Sequence, residues 1–177
     1  MDFRYKKCAE SDLDILIHIS RTTFQNAFQN DNNPKDFKQY LEEAFAKEKL
    51  VSELSNPNSV FCFVYVDDVL SGYFKLNENS AQTDIKSKES LEIERIYVKQ
   101  EFQGKGIGQN MLEKIKQIAF KKQKMFIWLG VWEKNKRAID FYRRHGFFEF
   151  GTHPYFIGND KQTDWLMRFD LINLNPE

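Results

Sequence analysis

The chain has 177 residues, 41% of them hydrophobic and 17 of them Phe, with 26 Lys and Arg against 26 Asp and Glu. That length suits one domain with a core of its own, expected over 1–177, and the aromatic, apolar share excludes a disordered chain. Zero net charge leaves no global field to draw in polyanions, which argues against a nucleic-acid binder or a membrane-surface protein.

Asp2–Lys7 reads as a short strand. The opening MDFRYKK has no apolar leader core, so no targeting segment is expected. Ser11 is the expected N-cap of a helix, with Asp12 and Asp14 in its first turn. Leu13, Leu16, Ile17, Phe24, Ala27 and Phe28 follow at helical spacing. After Asn32-Asn33-Pro34 a second helix is expected from Lys35 to Leu50, with Phe37, Leu41, Ala44 and Phe45 on one face. Val60–Val66 and Val69–Leu76 are strand-like runs joined by Asp67-Asp68, a two-residue hairpin turn. Cys8 and Cys62 have no CxxC partner, so both read as reduced core thiols.

Asn77–Ser90 is mostly polar, and a loop of that length is either solvated and mobile or part of substrate access. Leu91–Val98 is a strand, Gln103–Gly108 is glycine-rich, and a helix is expected from Gly106 to Lys122. Met125–Trp132 is apolar on both faces, as a central strand covered on both sides is. Asn135 looks like the N-cap of a helix to His145, with Gly146 as its stop. Phe147–Phe150 and Trp165–Leu171 read as closing strands. No apolar run reaches the ~18–20 residues of a membrane span, and a soluble cytoplasmic protein is expected. Strand, glycine loop, helix, strand is a βαβ crossover, which sets its binding loop at the strand's carboxyl end. The class is α/β or α+β with a mixed sheet.

The glycine segment fits neither GxxxxGK[ST] nor GxGxxG. It fits Q/R-x-x-G-x-G/A at Gln103, Gly106 and Gly108. Glycines let successive N–H groups point into one concavity, and the helix that follows adds unpaired N–H groups and a partial positive charge. Together these hold a pyrophosphate. Gly108, inside the first helical turn, is unfavourable by roughly 1 kcal/mol relative to Ala, and close ligand approach is one reason to keep it. A second constellation runs from Val131 through Asn135 and Ala138 to Phe141-Tyr142 and Gly146-Phe147.

Ile96-Tyr97-Val98, Gln103–Gly108 and Val131…Asn135…Tyr142…Gly146-Phe147 together resemble the GNAT superfamily of acyl-CoA N-acyltransferases. The likeness is close over roughly Leu91–Phe148. Leu91–Val98, Leu129–Asn135 and 158–164 further resemble the bacterial PaiA-like polyamine N-acetyltransferase branch. Gln100 departs from the family, many members of which have Pro after the strand.

The resemblance implies a mixed, mostly antiparallel sheet of six to seven strands with about four helices. It implies that backbone groups of Ile96 and Val98 pair with the pantetheine arm, and that the Val98 N–H polarises the thioester carbonyl. Backbone groups of Gln103, Gly104, Lys105, Gly106, Ile107, Gly108 and Gln109 would hold the pyrophosphate of acetyl-CoA. Asn135 would bind the pantetheine side, and Tyr142 would protonate the departing thiolate. A primary amine must lose a proton before it attacks. Glu92 and Glu94 are the candidate bases, expected on the same strand face as Ile96 and Val98, with Glu92 preferred.

His18, His145 and His153 show no metal-ligand spacing, so no metal is expected. The expected partner is a small cationic amine, such as spermidine or spermine, and the expected state a monomer or homodimer. Acetylation of protein N-termini or lysines, and acyl-CoA binding without turnover, are the competing readings. The zero charge also divides. Residues 99–144 carry 12 basic and 4 acidic groups, while 1–98 carry 12 and 17 and 145–177 carry 2 and 5. The positive block coincides with the segments expected to hold a polyanionic cofactor.

Overall fold

The computed structural model describes residues 1–171; residues 172–177, the end of the domain expected over 1–177, lie outside the described residues. The strands are β1 (Phe3–Lys7), β2 (Ser59–Val66), β3 (Val69–Asn77), β4 (Ser90–Val98), β5 (Phe126–Trp132), β6 (Phe148–Ile157) and β7 (Asp160–Asp170). The helices are α1 (Leu13–Phe28), α2 (Pro34–Ala44), α3 (Lys47–Ser55), α4 (Ile107–Lys121) and α5 (Lys136–Arg144). The strands form one mixed sheet, ordered β1-β2-β3-β4-β5-β7-β6, in which only β4 and β5 run parallel.

Alternation along the strands divides the core between two faces. Leu91, Ile93, Ile127, Leu129, Val131 and Met167 pack with Met111, Leu112 and Ile115 of α4 and with Ile139 of α5. The opposite face carries Phe61, Phe63 and Tyr73 against Leu16 and Ile19 of α1 and Leu50 of α3. Beyond them, Phe24, Phe37, Leu41 and Phe45 gather with Ile157. No helix among the described residues is long and apolar enough to cross a membrane.

Three expectations change and one is met. The helix expected over Lys35–Leu50 is two helices, because Ala46 is extended, which makes five α-helices among the described residues. Phe45 packs with Phe24 and Leu50 with Leu16, and the break lets the two side chains enter different clusters. Ser11 caps nothing: a short 3-10 turn, Glu10–Asp12, precedes α1. Its Asp12 carboxylate accepts from the Ala9 N–H at 3.0 Å and from Lys6 Nζ at 2.6 Å. The Asp67-Asp68 hairpin does form, with φ of 48° and 64°, the paired left-handed geometry of a type I′ turn. The closing strands are longer than the runs Phe147–Phe150 and Trp165–Leu171, and pair out to Ile157 and Asp160. The outer part of β7, Asp160–Asp164, is polar, and that of β6 alternates exposed with part-buried residues before buried Ile157, so neither presents a continuous apolar run.

Segment 77–90 is not a free loop. Buried Gln82 accepts from Trp128 Nε1 at 2.8 Å and from Ser90 Oγ at 2.6 Å, and its amide donates to the Ser87 carbonyl at 2.8 Å. Ile85 packs over Phe126, Trp128 and Leu166. These bonds strap the segment across one end of β4 and β5.

Candidate active site

The parallel pairing of β4 and β5 stops after three residues, Ser90–Glu92 against Phe126–Trp128. Both strands run on, β4 to Val98 and β5 to Trp132, so a wedge opens between them in mid-sheet. Buried backbone groups need partners, and an unfilled wedge of this kind is a place for an extended ligand to pair. The register against β3 shows which groups face it. Lys99 N–H bonds the Ser71 carbonyl at 2.9 Å, and Val98 lies opposite Gly72 and Ile96 opposite Phe74. In an antiparallel ladder the hydrogen-bonded pairs alternate with unbonded ones. Ile96 and Val98 therefore turn their main-chain groups away from β3 and into the wedge.

The chain after β4 makes an anion cradle. Among the described residues, the N–H groups of Gly104, Lys105, Gly106, Ile107, Gly108 and Gln109 have no protein acceptor. Gly104 and Gly106 both have φ of +76°, with open space where a Cβ would stand, so it is the left-handed backbone that requires glycine there. Gly108 has another reason: a Cβ there would come within 3.3 Å of the Phe141 ring, so packing of α4 on α5, and not only ligand approach, favours glycine. Gln103 departs from expectation as well. Its N–H is bonded to the Gln100 carbonyl at 3.2 Å, and its side chain bridges the Val98 carbonyl and Arg137. It braces the cradle and adds no N–H to it. The donors present fit the pyrophosphate of a coenzyme A group.

Helix α5 begins at Asn135, whose Oδ1 caps the Ala138 N–H at 3.2 Å, leaving its amide N–H groups to face outward. Tyr142 lies two turns on, between Phe141 and Phe147. Burial alone raises its phenol, which keeps it protonated. Tyr97 belongs to the other face, where burial raises its phenol.

Glu92 and Glu94 face away from Ile96 and Val98, contrary to the alternation expected. Register with β3 jumps from Lys75–Arg95 to Leu76–Ile93, so Glu94 is the extra residue of a β-bulge, which re-aims the side chains beyond it. Ile93, Ile96 and Val98 lie toward α4. Glu92, Glu94, Arg95 and Tyr97 lie toward α1–α3.

Neither carboxylate is free. Glu92 is 2% exposed and accepts from Asn77 Nδ2 at 3.0 Å, from the Thr83 N–H at 2.9 Å and from the Thr83 hydroxyl. Burial pushes its carboxyl above the usual range, against the pull of those bonds. Glu94 lies 2.5 Å from Lys75 Nζ and 3.6 Å from Arg95, with Glu53 bridging the same two cations. Burial would raise Glu94, but Arg95 and Lys75 outweigh it and the carboxyl ends below its usual value. A carboxylate held this way is a poor proton acceptor.

The α1–α3 face also holds groups that sequence reasoning missed. Gly130 is exposed although it lies within β5 among buried neighbours, so β5 is open to solvent at that point. A Cβ there would stand 3.3 Å from Asp164 Oδ2 and 3.8 Å from His153 Cε1. Asp164 pairs with Trp132 on one side and His153 on the other. Burial pushes its carboxyl up to about 6, with His153 pulling the other way. The Tyr40 and Tyr155 hydroxyls are hydrogen-bonded to each other, and both sense Asp164. Trp132 packs edge-on against Phe28. The available signals were weak: a glycine inside an apolar strand, and an aspartate just before one.

Residues 16–147 match the model of the acetyltransferase (GNAT) family. An uncharacterised N-acetyltransferase of Lactobacillus delbrueckii subsp. lactis is 39% identical over 164 residues, covering 93% of this chain and 95% of that protein. A spermidine N(1)-acetyltransferase of Thermoplasma acidophilum is 27% identical over 151 residues, covering 83% and 89%. The crystal structure of the PaiA N-acetyltransferase from Thermoplasma acidophilum in complex with coenzyme A superposes with a TM-score of 0.75 at 24% identity, covering 96% and 99%. The chain belongs to the GNAT family and is an N-acetyltransferase.

Proposed function

We propose that this N-acetyltransferase moves the acetyl group of acetyl-CoA to a primary amine of a small cationic acceptor, a polyamine such as spermidine or spermine, by direct attack on the thioester. The observation that carries the reading is the exposed stretch of β5 at Gly130 beside Asp164 and His153, with the Tyr40–Tyr155 pair and Trp132 on the same face. Carboxylate and aromatic faces suit an alkylammonium, which they hold by charge and by cation–π attraction. Sequence similarity to a spermidine N(1)-acetyltransferase supports the same acceptor class.

Acetyl-CoA supplies an activated acyl group as co-substrate. The free N–H groups from Gly104 to Gln109 bind its pyrophosphate, the wedge-facing groups of Ile96 and Val98 align its pantetheine arm, and the Asn135 amide completes that side. The Val98 N–H is suited to the negative charge that develops on the carbonyl oxygen. Tyr142 delivers a proton to the departing sulfur, a role that its buried, protonated phenol can fill. Glu92 and Glu94 shape the acceptor face.

Thiol release from acetyl-CoA across a panel of amines tests this. Spermidine and spermine are expected to drive release, and short peptides to do so far less. Peptides outrunning every polyamine would replace the acceptor class, and no release with any amine would remove the reading.

A further inference from the structure

We propose that Asp164 is the catalytic base of this enzyme, and that His153 and Asp84 carry the proton it takes to solvent. The inference rests on the acceptor reading above and assigns the step for which Glu92 and Glu94 are unsuited.

Three residues from separate parts of the chain form one line. Asp164 comes from β7 and is 13% exposed at its side chain; His153 comes from β6 and is 22% exposed; Asp84 comes from the strapped segment and is 41% exposed. His153 Nδ1 lies 3.0 Å from Asp84 Oδ2, and its Nε2 lies 4.0 Å from Asp164 Oδ2. An ionised carboxylate only accepts hydrogen bonds. Opposite Asp84 a neutral ring carries its hydrogen on Nδ1, and the Nε2 lone pair then lies toward Asp164. The gap of 4.0 Å is one that a single water spans.

Among the described residues Asp164 has no Lys or Arg against it and accepts no hydrogen bond, unlike Glu94 and Glu92. Its neighbours are His153 and Tyr155 from β6 and Tyr40 from α2, with Asp84 behind His153. It stands at the side of Gly130, two residues past the point where β4 and β5 part. A carboxyl raised to about 6 by burial is ionised at neutral pH yet basic enough to accept a proton.

The bound ammonium gives one proton to Asp164, and the neutral amine attacks the thioester carbonyl carbon. The C–N bond forms, the nitrogen sheds its second proton to solvent, and the C–S bond breaks. The sulfur takes a proton from Tyr142, whose phenolate regains one from solvent. The Asp164 proton leaves through His153 and Asp84, so each acetyl transfer releases one proton net.

Profiles of kcat/KM for spermidine against pH, in the full chain, test this. The wild type is expected to rise through about pH 6 and then level off. Asp164→Asn is expected to lose about 100-fold or more near pH 7. It should then climb without levelling toward the ~10 typical of an alkylamine, because only free amine reacts. His153→Gln is expected to lower kcat with little change in acceptor KM and to displace the acid limb; it carries the test if Asp164→Asn does not fold. Acetyl-CoA affinity should be unchanged in both. Nitrogen NMR of the ring in the resting protein should find His153 protonated at Nδ1.

An acid limb retained in Asp164→Asn, or a His153→Gln profile that superposes on the wild type, would overturn the proposal. So would an Nε2–H ring. If Glu92→Gln alone abolished the limb, Glu92 would be the base and the acetyltransferase reading would stand. If the wild type acetylated no amine, that reading would fail first and this inference with it.

Discussion

The two faces of the wedge are built from different materials. The α4–α5 face is made chiefly of main-chain groups: six consecutive N–H groups from Gly104 to Gln109, and the wedge-facing backbone of Ile96 and Val98. The α1–α3 face is made of side chains contributed by α1, α2, segment 77–90 and four strands. Backbone donors fix a feature shared by every coenzyme A ester, while side chains can be exchanged to suit one acceptor. The first face therefore follows from a short motif, and the second has to be read in three dimensions.

The sharpest way to break this contrast is Tyr142→Phe. Turnover is expected to fall about 100-fold or more, while calorimetry finds acetyl-CoA affinity nearly unchanged. Loss of binding instead would move Tyr142 from the chemistry to the cradle. On the opposite face, Lys75→Met strips the cation from Glu53 and Glu94, where Lys75 is 4% exposed. Breaking one partner of a buried pair costs about 3–5 kcal/mol, which urea unfolding should detect; an unchanged midpoint would mean that the network is hydrated.

Gly106→Val forces a β-branched residue into φ of +76°, a strain of about 1–2 kcal/mol. Acetyl-CoA affinity should weaken by roughly 10-fold if the cradle distorts to relieve it, with the acceptor KM little altered. An equal loss on both substrates would mean that the two faces are not independent. The smallest effect sharpens the contrast through stability. The Asp164 carboxyl is raised from the ordinary 3.8 to about 6, so ionising it costs more folded than unfolded. Stability then falls as pH rises between those values. Asp164→Asn should be more stable than the wild type by ~1–3 kcal/mol above that window and equal to it below. Equal unfolding midpoints at pH 8 would contradict that.

The same contrast explains what was legible. Leu91–Phe148 carries its information locally, in glycines, a cap and an apolar stripe, and the strand–loop–helix order there matches the structure. The facing of Glu92 and Glu94 was misread because one bulged residue at Glu94 reverses alternation beyond it. Nothing in the residue types announces the bulge. Segment 77–90 reads from sequence as either a mobile loop or a part of substrate access, because its anchors, Gln82 and Thr83, bond to residues on β4 and β5. Asp164, His153 and Asp84 are 11 and 69 residues apart along the chain, and no spacing rule links them. Acidic Asp84 and Asp164 come from the two net-acidic segments, but the positive charge of 99–144 is spread: Arg137 bonds Gln103 beside the cradle, while Lys122 and Lys124 pair with Glu78 at the far end of α4.

Amide chemical shifts of the labelled protein, followed separately with acetyl-CoA and with spermidine, test the two-faced site most directly. Acetyl-CoA should move Gly104–Gln109, Val98 and Asn135, and spermidine should move Gly130, His153 and Asp164. If both ligands moved the same amides along α4, or if spermidine left Gly130, His153 and Asp164 unmoved, the division between donor and acceptor faces would be contradicted.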